Sequence, residues 1–184
     1  MTASIVLVRN GRAAAGFDAD RDPGLDDVGR AEAASVAAAL GPLGPLPLVT
    51  SPLLRCRETV APLASRWGIE ATVDPAVAEV AAPTDDLAGR AAWLREAMSS
   101  RWSDLGSGPR AWRDQVLAAV RALAVDTVVV THFVVINVVI GAARGDDAVL
   151  VERVANGSRT TIDVGPDGGL HLVAVGTVGE SRVG

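Results

Sequence analysis

The sequence predicts an α/β domain, a three-layer sandwich in which helices cover both faces of a mostly parallel central sheet. Three observations lead there. Short β-branched runs alternate with helical segments, and strand–helix–strand order implies right-handed crossovers between parallel strands. The first run, Ser4–Val8, shows no polar alternation, which marks a strand buried on both faces. At 184 residues the chain fits one domain, residues 1–184, and can bury a core without disulfides or metals.

The elements follow in order. After Ser4–Val8, residues 27–40 read as a helix capped by Asp26, filled with alanine and ended by Gly41. Gly41–Pro47 is a stiff connector, and Leu48–Thr50 is a short strand. A helix runs from about Leu53 to Trp67, with Pro62 bending it or dividing it in two, and Gly68 stops it. Ile69–Val73 reads as a strand, Ala81–Thr84 as a loop and Asp85–Met98 as a helix. Residues 104–110, with Gly106, Ser107, Gly108 and Pro109, read as a surface loop. Trp112–Ala124 is a helix, Thr127–Thr131 a strand and Phe133–Ala143 a helix. Strands Arg159–Val164 and Leu170–Val175 join through Gly165-Pro166-Asp167-Gly168-Gly169, a hairpin signal.

Composition excludes several classes. The apolar share of 49% and charged share of 21% are those of a globular chain. A net charge of −5 offers no basic field for a nucleic-acid backbone, so no such partner is expected. All 17 basic residues are Arg, which removes a Walker-type phosphate loop and every Schiff-base mechanism. The single Cys56 excludes a disulfide or Cys-based zinc site within one chain, and two His are too few for a His₃ site, so neither metal nor cofactor is expected. Residues 1–8 do not read as a signal peptide. The uncharged run Thr127–Ala143, 17 residues, is shorter than the roughly 20 a spanning helix needs. A cytoplasmic protein without a membrane partner is therefore expected, and the Asn156-Gly157-Ser158 sequon is incidental.

In such folds a ligand sits outside the C-terminal strand ends. Those ends carry Arg9, the Ser51–Arg55 segment, the Asp74–Glu79 segment and His132. Arginine suits phosphate because its planar fork bonds two oxygens at once, and a helix starting near Leu53 adds backbone N–H groups. Each residue also has a plainer reading. With 17 Arg, some follow strands by chance; His132 fits a core histidine capping the next helix; Glu79 fits a surface carboxylate. Arg12 lines an entrance or is simply solvated. Arg57 adds a phosphate contact or joins a surface ion pair worth under about 1 kcal/mol. Cys56 reads as a small core residue and Asn156 as a turn residue, while His171 has no assigned role. Trp67, Trp93, Trp102 and Trp112 pack the core or line a cap over the pocket.

Together these segments resemble the histidine phosphatase superfamily, also called phosphoglycerate mutase-like. Val8-Arg9-Asn10-Gly11-Arg12-Ala13 resembles its Arg-His-Gly signature, and Leu25-Asp26-Asp27-Val28-Gly29-Arg30-Ala31 its capped first helix. Thr50-Ser51-Pro52-Leu53-Leu54-Arg55-Cys56-Arg57-Glu58-Thr59 resembles the second signature, Val77-Ala78-Glu79 the acidic segment, and Val129-Val130-Thr131-His132-Phe133 the segment of the second histidine. The resemblance spans about residues 4–175. It implies that Arg9, Arg55 and His132 clamp a phosphoryl group and that Glu79 protonates the leaving oxygen. It also implies a histidine at position 10 that becomes phosphorylated, with no metal, because arginines supply the positive charge.

The sequence departs from that pattern where the nucleophile should stand. Residue 10 is Asn, whose amide lone pair is delocalised and forms no stable phosphoenzyme. The expected function is phosphomonoester hydrolysis by the phosphohistidine route, impaired at Asn10 by a deliberate or a natural change. The alternatives are a non-catalytic pseudophosphatase that binds a phosphorylated small molecule or phosphoprotein and, less favoured for a chain with little room for insertions, a phosphoglycerate mutase.

Overall fold

The computed structural model describes residues 1–16 and 18–176; residues 177–184 of the expected domain lie outside the described residues. Strand β1 (Ala3–Arg9) sets the layers, because its alternate side chains enter two different cores. Ile5 and Leu7 face one side, with Val129 and Ile162 from neighbouring strands. Val8 faces the other, with Leu48, Val128 and Val130. Helices α1 (Asp27–Leu40) and α2 (Leu54–Trp67) cover the second face through Val36, Leu40, Val60 and Leu63. Helices α4 (Ser107–Arg121) and α5 (Phe133–Arg144) cover the first through Val116, Val120, Ile136 and Ile140. The result is the expected three-layer sandwich.

The remaining strands are β2 (Leu48–Thr50), β3 (Thr72–Val73), β4 (Thr127–Thr131), β5 (Arg159–Val164) and β6 (Leu170–Ala174). They form one six-stranded sheet in the order β3-β2-β4-β1-β5-β6. The pairs β1/β4, β2/β4 and β2/β3 are parallel, while β5 runs antiparallel to both β1 and β6. The hairpin between β5 and β6 closes through Gly165 N–H donating to the Gly169 carbonyl at 2.8 Å. Among the described residues no helix is long and apolar enough to cross a membrane.

Several boundaries differ from the sequence expectation, each for a local reason. Helix α4 begins at Ser107, inside the expected 104–110 loop. Pro109 lies in the first turn, where N–H groups have no intrahelical partner, so the ring removes nothing. The expected strand Ile69–Val73 shrinks to β3, because Ile69 N–H closes the end of α2 on the Ala64 carbonyl at 3.1 Å. Helix α3 (Leu87–Ala97) starts after Asp85, because Asp86 takes the cap and accepts from Gly89 N–H at 2.6 Å. Helix α2 runs through Pro62 in one piece. Gly41 does not stop α1 with a left-handed turn; its φ is −49° and a single 3₁₀ turn, Gly41–Leu43, follows. A side chain there would meet the Arg66 guanidinium, and Trp67 Nε1–H donates to the Gly41 carbonyl at 3.0 Å. The four tryptophans all pack on the cores, with Trp102 2% exposed and none lining the main cavity.

The start of α1 is held directly on the turn after β1. Asp26 caps the helix, its Oδ1 accepting from Gly29 N–H at 2.8 Å, and Asp26 N–H donates to the Arg12 carbonyl at 3.1 Å. A Cβ on Gly29 would lie 2.1 Å from the Arg12 carbonyl oxygen, and one on Gly11 2.5 Å from that of Gly29. Both contacts are backbone, so no side-chain rotation relieves them. Gly29→Ala is expected to cost about 1–3 kcal/mol, as overpacking does. Denaturant unfolding checks it; an unchanged midpoint would show that the two segments separate freely.

Candidate active site

The parallel register brings three strand ends to one edge. Arg9 pairs with Thr131, and both Val8 and Thr50 pair with Val130. The exits stay in step: Asn10 N–H donates to Thr131 O at 2.8 Å, Ser51 N–H to Val130 O at 3.1 Å, and Asp74 N–H to Thr50 O at 2.9 Å. Above this edge lies an open cavity of about 610 Å³. Arg9, Asn10, Arg55 and Glu79 line it, together with Phe133 and Arg153. Four of the five sequence-predicted site residues therefore share one cavity. The fifth, His132, does not line it.

Arg9 is held at the base. One Nη donates to the Val154 carbonyl at 2.7 Å, and the guanidinium lies 4.9 Å from the Phe133 ring centroid. Its Nε is buried without a partner among the described residues. Burial lowers its pKa, against the pull of Glu79 and Glu32. Arg55 sits in the first turn of α2 and is only 8% exposed. Its guanidinium makes no hydrogen bond or ion pair with the described residues. No Arg55 nitrogen is among the buried unpaired atoms of the described residues, so the guanidinium opens onto the cavity with donors free for an incoming acceptor.

Glu79 is placed by bonds to the backbone before it. Thr131 Oγ1 donates to Val77 O at 2.7 Å, and Trp112 Nε1 to Ala78 O at 3.2 Å. Burial pushes the carboxyl pKa above its ordinary range; Val80 N–H, Arg55 and Arg9 pull it back less strongly. Glu79 is thus suited to carry and release a proton. Asn10 is 6% exposed, and its Nδ2 donates to Gly11 O at 2.8 Å.

His132 stands one layer deeper, 1% exposed. Its Nε2 lies 2.7 Å from Ser51 Oγ and 3.4 Å from Cys56 Sγ. Burial, reinforced by Arg55 and Arg9, holds its pKa well below the ordinary imidazole value. The ring is therefore neutral near pH 7. Cys56 is fully buried, and burial pushes its thiol pKa up.

Some lining residues carry no sequence signal. Asn156 is more than a turn residue: its Nδ2 donates to the Asn10 carbonyl at 2.8 Å, and it lines the cavity. Phe133 supplies the ring beneath Arg9, and Leu94 and Met98 form an apolar wall. Arg12 both lines the cavity and is solvated, its Nε on Asp26 Oδ2 at 2.6 Å. Arg57 is exposed and outside the cavity. Glu58 accepts from Leu25 N–H at 2.5 Å. His171 is exposed on β6.

The depressed His132 pKa has a consequence for stability. Between its folded pKa and 6.5 the unfolded chain holds more protons, so stability falls as pH drops through that window. Glu79 acts in the opposite sense: above 4.5 the folded chain keeps a proton longer, so its contribution falls as pH rises toward the folded pKa. Subtracting the stability–pH curve of His132→Gln isolates the histidine. The variant should lose the downward bend below about pH 6.5 seen in the unsubstituted chain. Parallel curves would mean that His132 titrates alike in both states.

The architecture has solved relatives. YhfR from Bacillus stearothermophilus matches with a TM-score of 0.78 at 20% identity, covering 96% of this chain and 98% of that one. A phosphoserine phosphatase from Entamoeba histolytica, solved with 3-phosphoglyceric acid, matches with a TM-score of 0.75 at 16% identity, covering 96% and 98%. A mycobacterial glucosyl-3-phosphoglycerate phosphatase gives 0.70 at 21% identity, covering 96% and 100%. At these identities the likeness shows the fold. Among curated proteins no sequence matches. Residues 5–176 match the histidine phosphatase superfamily (branch 1) over nearly the whole described chain, and the protein belongs to that family.

Proposed function

We propose that the cavity binds the phosphoryl group of a phosphate monoester, and that the chain is a phosphomonoester hydrolase of the phosphohistidine type whose covalent step is impaired at Asn10. The observation that carries this reading is Arg55, a residue 8% exposed that lines the cavity and whose guanidinium is bonded to no acceptor among the described residues. A phosphoryl oxygen pair supplies what its fork lacks. Arg9 supplies a second cation to the same group. That solved relatives of this fold include two phosphatases favours hydrolysis over a mutase reaction.

In the unimpaired reaction a histidine nitrogen attacks phosphorus and the ester oxygen leaves, taking the Glu79 proton. Water then cleaves the phosphohistidine and returns a proton to Glu79. Asn10 offers no nitrogen lone pair for the first step. Any remaining turnover goes by direct attack of water on phosphorus. His132 serves this site from behind, as a neutral ring bonded to Ser51 at the base of the helix that bears Arg55. A pseudophosphatase is the second reading. It is favoured by how fully Asn10 is bonded in place, its N–H, its Nδ2 and its carbonyl each having a partner.

The test compares the unsubstituted chain with Asn10→His on an aryl phosphate. Asn10→His should turn over at least about a hundredfold faster, the size of effect expected when a nucleophile is restored. If neither form turns over while both bind inorganic phosphate, the pseudophosphatase reading replaces the enzyme. If neither binds phosphate, both readings fall.

A further inference from the structure

The cavity is larger than a phosphoryl group needs, and its charge is lopsided. In a chain of net charge −5, the charged residues lining it are Arg9, Arg12, Arg55 and Arg153 against Asp20 and Glu79. Burial shifts Glu79 toward its neutral form. Arg9 and Arg55 sit at the base. Arg12 is engaged with Asp26 at 2.6 Å. Arg153 is different: it is exposed at the rim, and it makes no hydrogen bond or ion pair with the described residues. The adjacent Glu152 is taken by Arg144 at 2.7 Å.

The position of Arg153 is not loose. The segment that follows it is stitched to the end of β1 by four bonds. Arg9 Nη1 donates to Val154 O at 2.7 Å and Arg9 N–H to Ser158 O at 3.0 Å. Gly157 N–H donates to Arg9 O at 3.0 Å, and Asn156 Nδ2 to Asn10 O at 2.8 Å. The backbone that carries Arg153 is thus tied to the residues that form the phosphoryl clamp.

We infer that Arg153 is a specificity-determining residue that receives a second oxyanion on the substrate, so that the preferred ligands are phosphate monoesters carrying a further carboxylate or phosphate. The inference rests on the phosphate reading of the cavity and adds the class of ester. Asp20, exposed on the loop before α1, also lines the cavity, and its carboxylate would repel an anion placed beside it. The second oxyanion is therefore directed to the Arg153 side. The contact is exposed, so its effect is modest and weakens in added salt.

The experiment is calorimetric binding of 2-phosphoglycolate, ethylene glycol bisphosphate and ethyl phosphate to the full chain, to Arg153→Gln and to Arg110→Gln. Arg110 is exposed and outside the cavity, so its variant matches the change in net charge. The unsubstituted chain should prefer at least one acidic-tailed ester over ethyl phosphate, and which one it prefers tells carboxylate from phosphate. Arg153→Gln should reduce that preference about fivefold, the upper range for an exposed ion pair, and leave ethyl phosphate unchanged. Arg110→Gln should keep the preference. No preference in the unsubstituted chain, or an equal loss in both variants, overturns the inference while leaving the phosphate reading in place. If none of the three esters binds and inorganic phosphate does not bind either, the phosphate reading itself has failed and the inference goes with it.

Discussion

A guanidinium carries more donors than a single acceptor can use, and the crevice of this protein is lined by two whose donors are not all met by the described residues. Arg9 keeps one backbone carbonyl and the face of Phe133, with its Nε buried and unpaired among the described residues. Arg55 has no acceptor there at all while being 8% exposed. Transfer of an unpaired polar group from water costs on the order of a few kcal/mol, and more when it is charged. The fold accepts that cost in one place, at the aligned ends of parallel strands. Much of the local structure serves to hold it there: the Asp26 cap, the Gly11–Gly29 contact, and the bonds from residues 154–158 back to Arg9 and Asn10.

Burial sets the protonation of the arginines' neighbours, and the same two cations modulate it. Burial raises Glu79 and lowers His132; the arginines oppose the first shift and reinforce the second. One environment thus keeps a carboxyl ready to give up a proton and an imidazole neutral. The imidazole spends its Nε2 on Ser51 and faces Cys56. It stands within the core and not on the cavity wall. Asn10 sits among these groups with its amide bonded locally, Nδ2 donating to the Gly11 carbonyl.

Much of the fold was legible because strong local signals agreed with tertiary structure. The strand expected at Thr127–Thr131 and the strand expected at Arg159–Val164 keep their bounds, and Asp26 caps the helix that it announces. The misreadings lie where a local signal has two outcomes. Pro109 marks a loop or a first helical turn, and only the burial of Val116 and Val120 further along selects the turn. Ile69 has strand chemistry, yet the end of α2 claims its N–H. The site was legible as to which strand ends bear its residues. Depth was not: nothing in the order of residues reveals that Ser51 and Cys56 draw His132 behind the cavity. Nor does it reveal that a segment far along the chain returns to brace Asn10, bringing Asn156 and Arg153 with it. Those placements come from long-range backbone pairing, which leaves no periodicity to read.

The most direct measurement is thermal unfolding of the unsubstituted chain and of Arg55→Gln across a series of inorganic phosphate concentrations. A ligand that binds only the folded state raises the melting temperature with its concentration. The account predicts a phosphate-dependent rise for the unsubstituted chain that Arg55→Gln loses, even if the variant is the more stable of the two without phosphate. An equal rise in both, or no rise in either, would contradict the claim that these arginines await a phosphoryl group.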